Sequence, residues 1–278
     1  MPKIRIYRLR QERNVPSLYN TISEKHSSLK MLKLYGVPVS QPVRAVAWAL
    51  ALKQVPFQMC MVGPGGKGKT GTRHENFRNL SPAGTVPIID DGGYVLGESN
   101  AILTYLANKL SWSDLYPPPS NPKCRGGVDW YLHWHHANIR PMTKSVFVKY
   151  VRPDIFTNEI FEKEAAKKFS GAMQLFNDAL LEQNKYLVSE GFTLADLVAY
   201  SEVGQYNSTY SNLYDFSPYP NVQRWMDRMG DVPFHDEVHE ANKSLGDLTR
   251  SEAVEMKAIV QANKDWVKTM LSVSKMTM

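Results

Sequence analysis

Three short segments between residues 31 and 109 carry residue types whose spacing could do chemistry. In Tyr35-Gly-Val-Pro-Val-Ser40-Gln41-Pro42-Val-Arg44 a hydroxyl stands just ahead of a helix start. Proline suits the first helical position, where its missing N–H is no loss. On that reading Gln41 is the cap and the Ser40 hydroxyl is free to point beyond the helix amides. Gly84-Thr85-Val86-Pro87 puts a proline at the entrance to a strand, and Gly97-Glu98-Ser99-Asn100 puts a carboxylate and a hydroxyl at a second helix start. Unpaired amides and the helix dipole make such a start a place for an anion, and Ser99 can cap the helix at the same time. Together the three segments outline a pocket for a small anionic ligand, with Ser40 directed at its reactive atom.

The elements that must position these residues are legible nearby. Residues 31–35 read as a strand with Leu32 and Leu34 on one face. Residues 42–53 read as a helix, because Val43, Val46, Ala47 and Leu50 recur at helical spacing. Phe57, Met59 and Met61 alternate as in a strand. Residues 86–90 and 94–96 flank the turn Asp91-Gly-Gly93, a hairpin signal. Residues 100–109 form a helix whose buried stripe is Ile102, Leu103 and Leu106. This order is that of an α/β thioredoxin-like fold.

The stiff stretch Tyr116-Pro-Pro-Pro119-Ser-Asn-Pro122 marks a boundary. The expected organisation is an extension over 1–30, an α/β domain over 31–113, a linker over 114–122 and an all-helical domain over 123–278. Helical patterns fall at 123–150, 157–184, 193–209 and 219–229, with a tail over 232–272. Phe192-Thr193-Leu-Ala-Asp196-Leu197 predicts a capping box: Thr193 caps while Asp196 reaches back to its amide.

Composition narrows the function classes. The chain has 278 residues, 43% apolar and 22% charged, with a formal net charge of +6. No run reaches the 18 or more apolar residues of a membrane span. No dense basic tract interleaved with aromatics marks a nucleic-acid binder, so neither a membrane nor a nucleic acid is the expected partner. Two cysteines, Cys60 and Cys124, fit a reducing compartment, and the cytoplasm is the expected location. Residues 1–30 carry five Lys/Arg by Arg13 but lack the apolar core of a secretory signal. A transit segment there is the lesser alternative to a surface extension. His133, His135 and His136 crowd one helix without a cysteine or carboxylate to complete a ligand set, so no metal is expected.

One motif competes. Gly63-Pro-Gly-Gly-Lys-Gly68-Lys69-Thr70 fits the pattern of a phosphate-binding loop and follows a strand. Residues 71–82, however, offer only Phe77 and Leu80 to bury, too little for the long helix such a loop must enter.

The chain resembles the cytosolic glutathione transferases of the serine-using theta class, and is similar to the related bacterial dichloromethane dehalogenases. Ser40-Gln-Pro-Val-Arg-Ala45 and Gly97-Glu-Ser99 carry the resemblance, supported by Val128-Asp-Trp-Tyr-Leu-His-Trp134 and Thr193-Leu-Ala-Asp196-Leu197. It implies a homodimeric detoxification enzyme that joins the glutathione thiolate to small halides or epoxides, with glutathione as co-substrate and no other cofactor. Ser40 would be the catalytic residue. Gln41, Thr85, Val86, Pro87, Glu98 and Ser99 would bind glutathione, with Val86-Pro87 cis so that the Val86 backbone pairs with the cysteinyl part. Arg73 and His74 are candidates for the glycine carboxylate, with a surface role for His74 equally open. Asp129 would reach across the dimer to the α-amino group, or would be a helix cap. Arg44 adds positive field or makes a salt bridge. Trp134, Met142, Tyr206 and Tyr210 are candidates for the electrophile wall. The tail, with Ile259, Trp266 and Val267 on one face, would form a lid or pack on the domain. Glutathione-transferase domains also serve as non-catalytic interaction modules, but retention of Ser40 argues for catalysis.

The chemistry such an enzyme needs is within reach of one hydroxyl. A free cysteine thiol has a pKa of about 8.5, and lowering it by about 2 units takes about 2.7 kcal/mol of preferential thiolate stabilisation. A hydrogen bond to a charged acceptor supplies roughly 1.5–3 kcal/mol. A helix N-terminus adds roughly 0.3–1 kcal/mol.

Overall fold

A mixed sheet organises the amino-terminal part, in the order β4 (Tyr94–Gly97), β3 (Ile88–Asp91), β1 (Leu32–Gly36), β2 (Phe57–Met61) and β5 (Met276–Thr277). The computed structural model describes residues 31–155, 159–250 and 253–278; the extension predicted over 1–30 lies outside them. Strand β1 (Leu32–Gly36) leads through α1 (Gln41–Leu52) to β2 (Phe57–Met61), which pairs parallel to it. A short α2 (Glu75–Leu80) precedes the hairpin of β3 (Ile88–Asp91) and β4 (Tyr94–Gly97), and β3 runs antiparallel to β1. Helix α3 (Ser99–Lys109) completes the thioredoxin-like unit.

Three local expectations shift. Ser40, not Gln41, is the N-cap of α1: its carbonyl accepts from the amides of Val43 and Arg44, while its side chain makes no capping bond. Glu98, not Ser99, occupies the N-cap of α3, at φ 67°, and Ser99 is the first helical residue. Glu98 sits in left-handed space that a side chain rarely adopts, a conformation that clusters at functional sites. The third strand starts at Ile88 rather than at Val86, just after the cis Val86-Pro87 bond.

The helical part comprises α4 (Pro122–Asn138), α5 (Arg140–Met142), α6 (Val148–Val151), α7 (Glu159–Leu175), α8 (Leu194–Val203), α9 (Pro220–Gly230), α10 (His235–Lys243) and α11 (Met256–Val273). The path through 123–150 is not one helix. Pro141 has no N–H to give the preceding turn, so the rod breaks at Ile139 and resumes through a π-helical segment at Thr143–Phe147. Every residue of α8 is buried, as expected of a helix without a polar face. It lies against α1, whose Trp48 is fully buried and donates its ring N–H to the Pro233 carbonyl at 2.8 Å.

The capping box of α8 forms as expected, with Thr193 and Asp196 bonded reciprocally. The Asp196 carboxylate is fully buried and also accepts from the Leu187 amide at 2.9 Å and the Trp225 ring N–H at 3.0 Å. Replacing Asp196 with alanine strands several buried donors at once. The expected cost is about 2 kcal/mol of stability, read as a lowered urea midpoint.

The tail differs from expectation at its end. After α11, Met276–Thr277 form β5, which pairs parallel to β2 with Phe57 opposite Met276.

The glycine-rich loop does not form a phosphate cradle. Several of its amides are taken by its own acceptors: Gly63 N–H by Thr70 O (2.8 Å), Gly65 N–H by Thr72 Oγ1 (2.9 Å), Gly66 N–H by Gly63 O (3.2 Å) and Gly71 N–H by Gly68 O (2.7 Å). A Cβ at Gly71 would lie 2.1 Å from the Gly66 carbonyl oxygen, so only glycine permits this closure. No helix follows Thr70 directly, and the six-residue α2 begins at Glu75. The nucleotide-binding alternative fails on this geometry.

Candidate active site

The predicted segments converge on one cavity of about 130 Å³. Gln41, Pro42 and Ala45 from the start of α1, the turn residues Thr85, Val86 and Pro87, and Glu98 and Ser99 at the start of α3 form its sheet side. The opposite wall comes from the helical stretches around 129–150 and 200–215 expected to supply it, but through residues other than those named. It consists of His135, His136, Arg140 and Lys144, with Val198 and Glu202 of α8. Ser40 immediately precedes this lining, half-buried, its hydroxyl free of the helix amides.

A polar network ties the two walls together. Arg140 donates through one Nη to Gln41 Oε1 at 3.1 Å and to Glu202 Oε2 at 2.8 Å. Gln41 Nε2 donates to Gln205 Oε1 at 2.6 Å, and Gln205 Nε2 to Thr143 Oγ1 at 2.9 Å. Burial works to raise the Glu202 carboxyl, but Arg140 and His135 outweigh it and hold it down to about 2. The charge is kept in the interior because it is paired, the condition under which buried charge survives. His136 is pushed below the usual imidazole range by burial and by neighbouring His135, which favours its neutral form. Lys144, exposed at the rim, leaves a cation facing the opening.

Among the described residues Arg44 makes no salt bridge to a carboxylate. Fully buried, its guanidinium donates to the carbonyls of Pro38, Val39 and Ser201 and to Asn242 Oδ1. Burial draws it down to about 10.

Several expected site residues lie elsewhere. Arg73 is exposed, and His74 caps α2, its Nδ1 accepting from the Asn76 amide. Neither lines the cavity, because the closed glycine loop holds both away from the start of α3. Asp129 accepts a hydrogen bond from the Tyr116 hydroxyl at 2.7 Å, which ties α4 to the linker. Of the electrophile-wall candidates, Met142 and Tyr206 are core, the latter with its hydroxyl bonded to Thr143. Trp134 stacks on Trp130. Tyr210 lines a separate crevice of about 940 Å³ that shares no residue with the cavity at α1. Ile259 and Trp266 pack α11 onto the domain, Trp266 donating to the Val238 carbonyl, and no residue of α11 lines the cavity.

The residues missed on that wall had one readable signal. Glu202 is a carboxylate inside an otherwise buried run, which demands a cationic partner. The identity of that partner, 62 residues away in the chain, was not readable.

Comparison with known proteins decides the family. Residues 34–112 match the glutathione S-transferase N-terminal domain and residues 139–233 its C-terminal domain. Mouse glutathione S-transferase theta-1 is 30% identical over 219 residues, covering 77% of this chain and 89% of the relative. Rat theta-2 is 32% identical over 201 residues, covering 71% and 80%.

The chain belongs to the glutathione S-transferase family.

Its affinities within that family are with the theta class, and it is a glutathione S-transferase enzyme. Human glutathione transferase theta-2, solved with glutathione and an unknown ligand, superposes with a TM-score of 0.68 at 25% identity, covering 86% of this chain and 99% of that one. No helix among the described residues is long and apolar enough to cross a membrane.

Proposed function

We propose that this transferase joins the glutathione sulfur to small electrophiles, halides and epoxides foremost, with Ser40 as the catalytic residue. The observation that carries the reading is the convergence of the α1 start, the cis Val86-Pro87 turn and the α3 start on one cavity. Glutathione lies with its γ-glutamyl carboxylate at Ser99 and the amides of α3, its α-amino group toward Glu98, and its cysteinyl backbone along Val86. Thr85, Pro87 and Gln41 complete the floor and fix the approach of the sulfur to Ser40.

The thiol proton passes to water, and the Ser40 hydroxyl donates to the sulfur and favours the thiolate that remains. The thiolate attacks the electrophilic carbon, a carbon–sulfur bond forms, and halide leaves with the bonding pair. With an epoxide, the ring oxygen takes the pair and then a proton from water. Serine is never covalently modified, so no base partner is needed.

Glutathione serves as co-substrate without a further cofactor, and the working form is a cytoplasmic homodimer. The chain divides at the proline-rich linker, 114–122, into a glutathione-binding part over 31–113 and a helical part over 123–278. The test is retention on glutathione-agarose followed by a panel of small halides and epoxides. Retention with turnover of at least one of them is the expected result. A protein that is not retained and turns over none would overturn the reading.

A further inference from the structure

The turn that carries Ser40 is held from the far end of the chain. Within it the Ser40 amide donates to the Val37 carbonyl at 3.0 Å, and Arg44 takes the carbonyls of Pro38 and Val39 at 3.1 and 3.0 Å. The Val39 amide has no backbone acceptor in the turn. It donates instead to Asn263 Oδ1 at 3.1 Å, across 224 residues of sequence. An amide partly removed from water is stabilised by a partner, and here helix α11 supplies it.

Asn263 is itself buried and fixed. Ile259, Ala262, Trp266 and Met270 of the same helix are buried, and the Trp266 ring N–H bonds the Val238 carbonyl at 2.9 Å. Beyond α11, the pairing of β5 with β2 fastens the segment to the sheet that carries β1.

We propose that Asn263 is a positioning residue for the conjugation reaction: by holding the Val39 amide it fixes the direction of the Ser40 hydroxyl. The inference rests on the reading of Ser40 given above. A hydrogen bond to a developing thiolate is sensitive to misplacement of about 0.5 Å, and the residue before Ser40 sets the direction in which its side chain leaves the backbone. The local turn leaves that amide unanchored, so the tail helix provides a constraint that the α/β part lacks. Asn263 does not line the cavity and acts through Val39.

The test pairs kinetics with amide exchange. Asn263→Leu keeps the approximate volume and removes the acceptor, whereas Asn263→Asp keeps an acceptor oxygen. For Asn263→Leu we expect kcat at neutral pH to fall about tenfold, KM for glutathione to stay within about twofold, and the pKa of the bound thiol to rise by about 1 unit. Exchange of the Val39 amide is expected to be slow in the unaltered protein and in Asn263→Asp, and at least about a hundredfold faster in Asn263→Leu. Loss of packing alone would lower the melting temperature without moving the thiol pKa. Wild-type kcat and thiol pKa in Asn263→Leu would overturn the proposal. So would rapid exchange of the Val39 amide in the unaltered protein, a result that needs no variant to fold. Failure of the unaltered protein to conjugate glutathione would instead overturn the function assigned to Ser40, and Val39 exchange would still report on the anchor.

Discussion

Ser40→Ala is expected to lower the conjugation rate roughly 25-fold at pH 7 while leaving glutathione affinity within about threefold. The hydroxyl stands free of the helix it caps, so its removal costs the fold little. Its proposed bond to the thiolate is made to a charged acceptor and falls short of that strength with a neutral thiol. Losing about 2.7 kcal/mol of differential stabilisation returns the bound thiol to about 8.5, the value of a free cysteine. The sign fixes the pH dependence. Below about pH 6.5 both proteins slow as the thiol protonates. The ratio between them is widest, about a hundredfold, below about pH 6.5 and closes between about 6.5 and 8.5. Above about 9 the variant recovers, because the sulfur ionises unaided. Rate profiles over pH 6–9.5, with glutathione binding measured by calorimetry, check this, and a variant as fast as the parent at pH 7 would refute it.

Glu202→Gln is expected to cost roughly 3 kcal/mol of stability at neutral pH. That corresponds to a fall of about 10 °C in melting temperature for a chain of this size. The substitution keeps shape but leaves Arg140 beside His135 without its counter-charge, and weakens the grip of Arg140 on Gln41. Because the Glu202 carboxyl is held at about 2 in the fold against an ordinary 4.5, its contribution is complete above about pH 4.5 and disappears as pH falls toward 2. Urea midpoints of parent and variant should therefore differ by a constant amount above pH 5 and converge toward pH 2. A difference unchanged at pH 2.5, or none at pH 7, would remove Glu202 from the role given to it.

How much of this was legible depends on how local each cause is. The β1-α1-β2 unit, the hairpin and α3 follow from periodicity and turn residues within a few positions, and the box of Thr193 and Asp196 is complete in four. The convergence of Gln41, Val86 and Ser99 on one cavity was implied by the resemblance, since nothing in three separated segments dictates that they meet. Helix α2 was unreadable because it buries little besides Phe77. Strand β5 has two residues, too few to alternate, and exists because the edge of β2 receives it. The cap positions at Ser40 and Glu98 each moved by one residue, since the choice between adjacent polar residues is made by backbone angles rather than by composition. The helical wall of the cavity depends on where the rod breaks at Pro141, and so on how Arg140 swings to meet a carboxylate in a distant helix. That is a tertiary fact.

The parallel pairing of Met276–Thr277 with β2 has a consequence for colloidal behaviour. An open strand edge is a template on which other chains can dock and begin fibrous growth, and proteins blunt such edges by making the outermost strand very short. Here the outermost strand at this margin is two residues long, with Met276 turned inward and Thr277 exposed. It covers the first two positions of β2 while offering almost no ladder of its own, so this side of the sheet is a poor seed for self-association at high concentration.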